Sequence, residues 1–279
     1  MQIIRADTLG FCPGVRMAVQ AAEQAVQNNP GTPVFILGQI VHNPRVSSRL
    51  AGMGAVELPG DDGSAAPPGS LVVVRSHGAS PQTLDKLKDA GVRVIDATCP
   101  KVAANQRAAA DFARRGYTVV IAGDRGHGET LGVAGHAPGS VIVSNPDQAR
   151  TVGLIGPIAL VSQTTMSEDE YAAIREALRE RFPDLADRGG ICEATGDRRV
   201  ALERLCTRVD AVVVVGGRNS ANTRRLAEYA RSLGKPAWHV QTADEIPIEL
   251  AAYETVGLTA GASTPADDVD DAERRLLAL

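Results

Sequence analysis

Aromatic residues are scarce in this 279-residue chain: they make up 3%, with a single tryptophan. Few π faces are therefore available for stacking bases, which argues against a surface for single-stranded nucleic acid. A strong excess of charge of one sign is missing too. The formal net charge is −4 with 22% charged residues, so no basic field draws the chain to a polyanion. No apolar run approaches the roughly 18 residues of a membrane span. The opening Met1-Gln2-Ile3-Ile4-Arg5-Ala6-Asp7 lacks the apolar stretch of a secretory leader. The expectation is a cytoplasmic protein with no membrane and no nucleic-acid partner. Nucleotide fingerprints are also absent: there is no P-loop, and no G-x-G-x-x-G follows the first strand-like run. Cysteine is limited to Cys12, Cys99, Cys192 and Cys206, with no C-x-x-C pair. In a cytoplasmic chain that usage disfavours disulfides and favours metal binding or catalysis.

What is present is a repeat. Cys12 sits in G-F-C-P-G-V, Cys99 in D-A-T-C-P-K-V and Cys192 in G-G-I-C-E-A-T-G-D, at intervals of 87 and 93 residues. A polar residue follows each at nearly constant distance: His42, His127 and Ser220, which are 30, 28 and 28 residues on. A second polar position follows 65 residues after the first two cysteines, at His77 and Thr164. Cys206 fits a small buried hydrophobe in the helical run Arg198–Val209. Three like units with thiols at like loops predict one shared central site.

The repeat predicts three lobes: residues 1–96 with Cys12, 97–189 with Cys99 and Glu129, and 190–279 with Cys192 and a C-terminal helix. Apolar runs such as Val34–Leu37, Leu71–Val74, Tyr117–Ala122, Ile158–Val161, Ala211–Val215 and Val256–Thr259 read as buried strands. They alternate with helical segments, which predicts an α/β fold: three pseudo-threefold-related lobes with small, mainly parallel sheets around the central site. Gln2–Ala6 reads as a strand of the first lobe, and Gly54–Ser70, rich in Gly, Pro and Asp, as an exposed loop. Ser80-Pro81 and Ser167-Glu168-Asp169-Glu170 read as helix starts, the latter a capping box. The loops S-H-G-A-S-P, Q-T-T-M-S-E and A-G-A-S-T-P precede helices in the three units. Such loops lie at the carboxyl ends of parallel strands, where open α/β folds bind ligands.

Three thiolates suit zinc or an iron–sulfur cluster. Zinc signatures usually bring ligand pairs close in sequence, and here the spacings are long. Widely spaced, equivalent cysteines suit a 4Fe–4S cube held at three irons, with the fourth free to act as a Lewis acid. Cys206 as a fourth ligand is disfavoured by its helical setting. His42, His77, Ser220, Asn222 and Ser263 offer hydrogen bonds to an anion, and helix N-termini add backbone N–H groups. Glu129, in G-H-G-E-T, is the candidate proton donor, because a carboxyl in a dry site has a raised pKa. The alternative is a first-turn carboxylate that only complements a helix dipole.

Taken together, G-F-C-x-G-V, V-H-N-P-R-V, S-H-G, A-T-C-P-K-V, Q-T-T-M-S, I-C-x-A-T, N-S-x-N-T-x-R-L and T-A-G-A-S-T-P resemble the 4-hydroxy-3-methylbut-2-enyl diphosphate reductase family over essentially the whole chain. The resemblance implies a three-lobed fold around one 4Fe–4S cluster per chain. It implies removal of an allylic hydroxyl to give isopentenyl and dimethylallyl diphosphates, the last step of the methylerythritol phosphate route to isoprenoids. By resemblance, Cys12, Cys99 and Cys192 hold the cluster. His42, His77, His127, Ser220, Asn222 and Ser263 bind diphosphate, with Thr165 a further candidate. Glu129 delivers protons with Thr164 and His127 beside it. Electrons come singly from an external donor such as ferredoxin or flavodoxin.

Four positions depart from the family's usual pattern. Gly128 replaces a proline, predicting a looser loop; Glu193 replaces a tyrosine; Arg199 replaces a glutamine; Ala221 replaces a serine. These departures motivate a rival reading, a paralogue acting on another hydroxylated diphosphate. A non-catalytic iron–sulfur sensor and a zinc-stabilised phosphate-binding module are the rivals from other classes.

Overall fold

The structure, a computed structural model, describes residues 1–60 and 63–279. Its strands are β1 Gln2–Arg5, β2 Val34–Leu37, β3 Ala55–Leu58, β4 Leu71–Val74, β5 Arg93–Asp96, β6 Thr118–Ala122, β7 Val141–Val143, β8 Ile158–Ser162, β9 Ala186–Gly189, β10 Ala211–Val215, β11 Ala237–Val240 and β12 Thr255–Ala260. Its helices are α1 Pro13–Gln27, α2 Pro44–Met53, α3 Pro81–Asp89, α4 Pro100–Arg114, α5 Gly128–Gly135, α6 Pro146–Thr151, α7 Glu168–Arg179, α8 Glu193–Cys206, α9 Ala221–Ser232 and α10 Ala266–Leu277. The chain divides into two compact units: residues 17–40 with 49–192, and residues 1–16 with 41–48 and 193–279.

The larger unit holds two four-stranded sheets, ordered β3-β2-β4-β5 and β7-β6-β8-β9; the smaller holds one, ordered β1-β12-β10-β11. Every pairing is parallel. Parallel strands covered on both faces need continuous apolar runs. The central strands supply them: β4, β8 and β10 are buried at every residue. Outer strands such as β1, β5 and β9 contain no fully buried residue. That is why β5 and β9 carry little sequence signal.

The three sheets share one order. A first strand lies beside its successor and beside a third strand, and the third pairs with a fourth. In the smaller unit the fourth place is taken by β1, which pairs with β12 from Gln2↔Thr255 to Arg5↔Leu258. The N-terminal strand, expected in the first lobe, therefore completes the sheet of the third. Ala6 N continues the ladder to Leu258 O at 2.9 Å. Arg5 reinforces it through ion pairs to Asp270, at 2.8 Å, and to Glu273, at 2.5 Å, on α10.

The expected loop Gly54–Ser70 begins instead with β3, an edge strand pairing Ala55–Leu58 with Val34–Leu37. Asp61 and Asp62 of that segment lie outside the described residues. Beyond them Ala66 is buried, and Gly63 faces Leu87 so closely that a Cβ would lie 2.7 Å from the leucine side chain. Helix α5 was not legible because three of its eight residues are glycine. Ser80 starts α3 by accepting from Thr83 N at 3.1 Å, and the Ser167–Glu170 capping box is formed as expected. Among the described residues no helix is long and apolar enough to cross a membrane.

Candidate active site

Each of the three repeat cysteines follows the fourth strand of a sheet: Cys12 after β1, Cys99 after β5, Cys192 after β9. Each is fastened by the same backbone bond. Cys12 N donates to Ala262 O at 3.2 Å, Cys99 N to Ser76 O at 3.0 Å, and Cys192 N to Thr164 O at 2.9 Å. All three acceptors lie two residues past the end of a third strand, β12, β4 and β8. The thiols are free and half-buried, whereas Cys206 is buried in α8 among Leu202, Leu205 and Val209. Cys206 thus packs as an apolar side chain, with its thiol pKa pushed up by burial. Cys12 Sγ accepts from Val15 N at 3.4 Å, in the first turn of α1.

The shared bond also fixes the register of the following loop. Tight turns close from Gly78 N to Arg75 O, Met166 N to Gln163 O and Thr264 N to Gly261 O, at 2.9, 3.1 and 3.1 Å. Ser76, Thr164 and Ala262 are therefore equivalent, and so are His77, Thr165 and Ser263. The sequence spacing had matched His77 with Thr164, one residue out. It counted from Cys12, which belongs to a different sheet from His77.

In the larger unit, His77 and His127 meet with ring centroids 4.9 Å apart and planes at 70°. His127 is the N-cap of α5, and its Nδ1 accepts from Glu129 N at 3.2 Å. Glu129 is 1% exposed. Its Oε1 accepts from Thr164 N at 2.6 Å and its Oε2 from Thr164 Oγ1 at 2.8 Å. Burial pushes the carboxyl up to about 7; the two Thr164 bonds pull it down and the nearby Asp124 charge raises it further. Thr164 thus holds the carboxyl with its N–H and hydroxyl and the Cys192 N–H with its carbonyl. Thr165 Oγ1 accepts from the fully buried Gln163 at 2.8 Å, and Gln163 Oε1 accepts from Asp124 N at 2.8 Å. This ties the Thr165 loop to the loop before His127.

In the smaller unit, Ser220 caps α9, accepting from Thr223 N at 3.3 Å, and Asn222 lies in the first turn. Asn222 Nδ2 is buried with no hydrogen-bond partner among the described residues. An orphaned donor of this kind suits an absent acceptor. Ser263 is half-buried on the loop that holds Cys12. His42 precedes Asn43, which caps α2 through Val46 N at 3.2 Å and donates to Asp268 at 2.7 Å. Gly217 makes the approach to His42 possible: a Cβ there would lie 1.8 Å from His42 O.

The departures from the family pattern have physical settings. Gly128 opens α5 under Arg75, and a Cβ would lie 2.1 Å from Arg75 Nη2. The expected looseness is thus opposed by a packed guanidinium and by the His127 cap. Arg199 lies 4.1 Å from the centre of the Tyr229 ring and 3.5 Å from Glu203. Glu193 is an exposed first-turn acid of α8, and Ala221 is buried at the start of α9. Sequence reasoning missed Asn105, Gln163 and Arg198. Arg198 is buried and donates to Ala194 O at 2.7 Å and to Gly10 O at 2.5 Å, fastening the turn before Cys12. Asn105 and Arg198 are individual polar residues on helices α4 and α8, and Gln163 lies in the loop after β8, so none carries a local signal of its own.

Comparison with known proteins places these features in a family. The family described as LytB protein matches residues 3–277. A 4-hydroxy-3-methylbut-2-enyl diphosphate reductase of Treponema denticola is 40% identical over 290 residues, covering 99% of both chains. One of Leifsonia xyli is 42% identical over 271 residues, covering 95% of this chain and 80% of its own. The solved E-1-hydroxy-2-methyl-but-2-enyl-4-diphosphate reductase of Plasmodium falciparum superposes with a TM-score of 0.92 at 29% identity, covering 98% of this chain and 87% of that one. A second solved structure, described as (E)-4-hydroxy-3-methyl-but-2-enyl diphosphate reductase, the terminal enzyme of the non-mevalonate pathway, gives 0.72 at 32% identity and covers 100% and 99%.

Proposed function

We propose a reaction from the premise that this chain belongs to the LytB protein family: the reductive removal of the hydroxyl of 4-hydroxy-3-methylbut-2-enyl diphosphate. One substrate, two electrons and two protons give isopentenyl or dimethylallyl diphosphate and one water. The step closes the methylerythritol phosphate route in the cytoplasm, with electrons from an external one-electron donor such as ferredoxin or flavodoxin. The expected lobes 1–96, 97–189 and 190–279 are kept as repeat units, with β1 lent to the third.

The donor set fits one 4Fe–4S cluster on Cys12, Cys99 and Cys192. Three free, half-buried thiols stand on equivalent loops, each with its backbone N–H already held. Such a cluster supplies electrons one at a time and an iron without a protein thiolate. His42, His77, His127, Ser220, Asn222 and Ser263 are assigned to the diphosphate, for which hydrogen-bond donors and a helix N-terminus are apt. Binding there orients the carbon chain before any bond breaks.

The observation that carries the reading is Glu129, a carboxyl buried in the larger unit with its pKa pushed up to about 7 and bonded to Thr164. The backbone N–H of Thr164 can only donate, so when Glu129 is protonated its proton sits on Oε2 and the bond to Thr164 reverses: Oε2–H donates and Thr164 Oγ1 accepts. The Thr164 hydroxyl proton is then free to be passed to substrate as Oγ1 takes the proton of Glu129. Protonated Glu129 is a general acid below about pH 7, and turnover falls as pH rises through that value.

The test is anaerobic purification, iron and sulfide analysis, and oxidation of a reduced dye with the diphosphate substrate. Turnover to the two five-carbon diphosphates is expected. Glu129→Gln should lower it about 10²- to 10⁴-fold with iron content unchanged. A loaded cluster without turnover would reject this substrate in favour of a paralogue, and a chain that takes up no iron would reject the reductase outright.

A further inference from the structure

Asn105 lies in α4, the helix that begins beside Cys99, and is 1% exposed. Its Nδ2 donates two hydrogen bonds, to Ser162 O at 2.9 Å and to Gly190 O at 3.0 Å. Ser162 ends β8 and leads into Gln163-Thr164. Gly190 follows β9 and leads into Ile191-Cys192.

These two strands need such a bridge. Their ladder runs Ala159↔Ala186 and Leu160↔Asp187, then shifts so that Val161 pairs with Gly189. Past that irregularity neither Ser162 nor Gly190 is paired in the ladder. Two carbonyl oxygens cannot bond each other, whereas one amide nitrogen with two protons satisfies both. Two residues further on, Cys192 N reaches Thr164 O at 2.9 Å. The fit at Gly190 is close: its φ is +115°, and a Cβ would lie 2.4 Å from Asn105 Oδ1.

We propose that Asn105 is a positioning residue, whose paired donation sets the spacing between the Thr164 loop and the Cys192 loop and ties both to the helix that begins beside Cys99. It thereby places two of the three thiols and the partner of Glu129. The inference rests on the assignment of those cysteines to a cluster. Aspartate at this position has the same shape and repels both carbonyls; leucine has a similar volume and donates nothing.

The experiment uses the full chain under anaerobic conditions, as parent, Asn105→Asp and Asn105→Leu. One readout is alkylation of each cysteine by iodoacetamide in the metal-free protein, resolved by mass spectrometry with Cys12 as internal reference. The other is iron and sulfide per chain with the resonance spectrum of the reduced protein. Relative to Cys12, alkylation of Cys192 should rise roughly fivefold in both variants, the factor by which a loosening of about 1 kcal/mol raises an open population. Iron loading should fall and the spectrum broaden. Leu178→Ala, which destabilises the same unit from its core, serves as control. Unchanged ratios and loading in the Asn105 variants overturn the proposal, and so does an equal change in Leu178→Ala. A parent that binds no iron would sink the cluster assignment, while the alkylation ratios would still decide whether Asn105 places Cys192.

Discussion

Glu129 and Thr164 act as one group. The carboxyl sits where water cannot reach it, and its two oxygens are covered by one residue. The Thr164 bonds favour the charged form, while burial disfavours it more strongly. Thr164→Val removes the hydroxyl donor and keeps the backbone one. The Glu129 pKa should rise further, so the alkaline limb of the rate profile moves to higher pH while turnover falls; a pH–rate profile with saturating dye checks it. Linkage gives the same group a stability signature. Its folded pKa lies above the ordinary carboxyl value, so its contribution is fully present below pH 4.5 and lost as pH rises through about 7. Glu129→Gln should remove that loss, and the gap in melting temperature between variant and parent should grow in the variant's favour from pH 5 to 8. Glu129 was legible as a candidate from the motif around His127. Its clasp by Thr164 was not, because 35 residues separate them and only the adjacency of β6 and β8 closes the gap.

At the scale of elements, strand ends and helix starts create the site. Ser167, Ser220 and His127 each accept from a backbone N–H two or three residues on, so the loop turns sharply at a fixed place. Ser167→Ala removes the cap of α7 and should cost about 1 kcal/mol in denaturant unfolding. Gly217→Ala tests the reverse. Its Cβ would meet the His42 carbonyl at 1.8 Å, and backbone cannot rotate away as a side chain can. Substrate KM should rise more than tenfold with iron content retained, if His42 binds diphosphate. The capping box and the apolar central strands were readable, since both are local chemistry. Strands β5 and β9 were not: R-V-I-D and A-D-R-G carry charges that only an outer position tolerates.

Across the whole molecule, one sheet order occurs three times and the N-terminal strand completes the last copy. A chain lacking residues 1–6 should lose the fourth strand beside β12 and the route into the Cys12 turn. Hydrogen exchange should show loss of protection in β10 and β12, with β4, β6 and β8 unchanged; equal loss in all five strands would refute the assignment of β1 to that sheet alone. Repeat, composition and motif order determined the fold class, the three candidate thiols and the candidate acid, because residue types at fixed intervals survive any arrangement of the chain. Tertiary structure decided the rest: β1 pairing with β12, the one-residue register that makes His77, Thr165 and Ser263 equivalent, and the bridge of Asn105 between two diverging strands. Those depend on hydrogen bonds between segments up to some 250 residues apart, which no local pattern encodes.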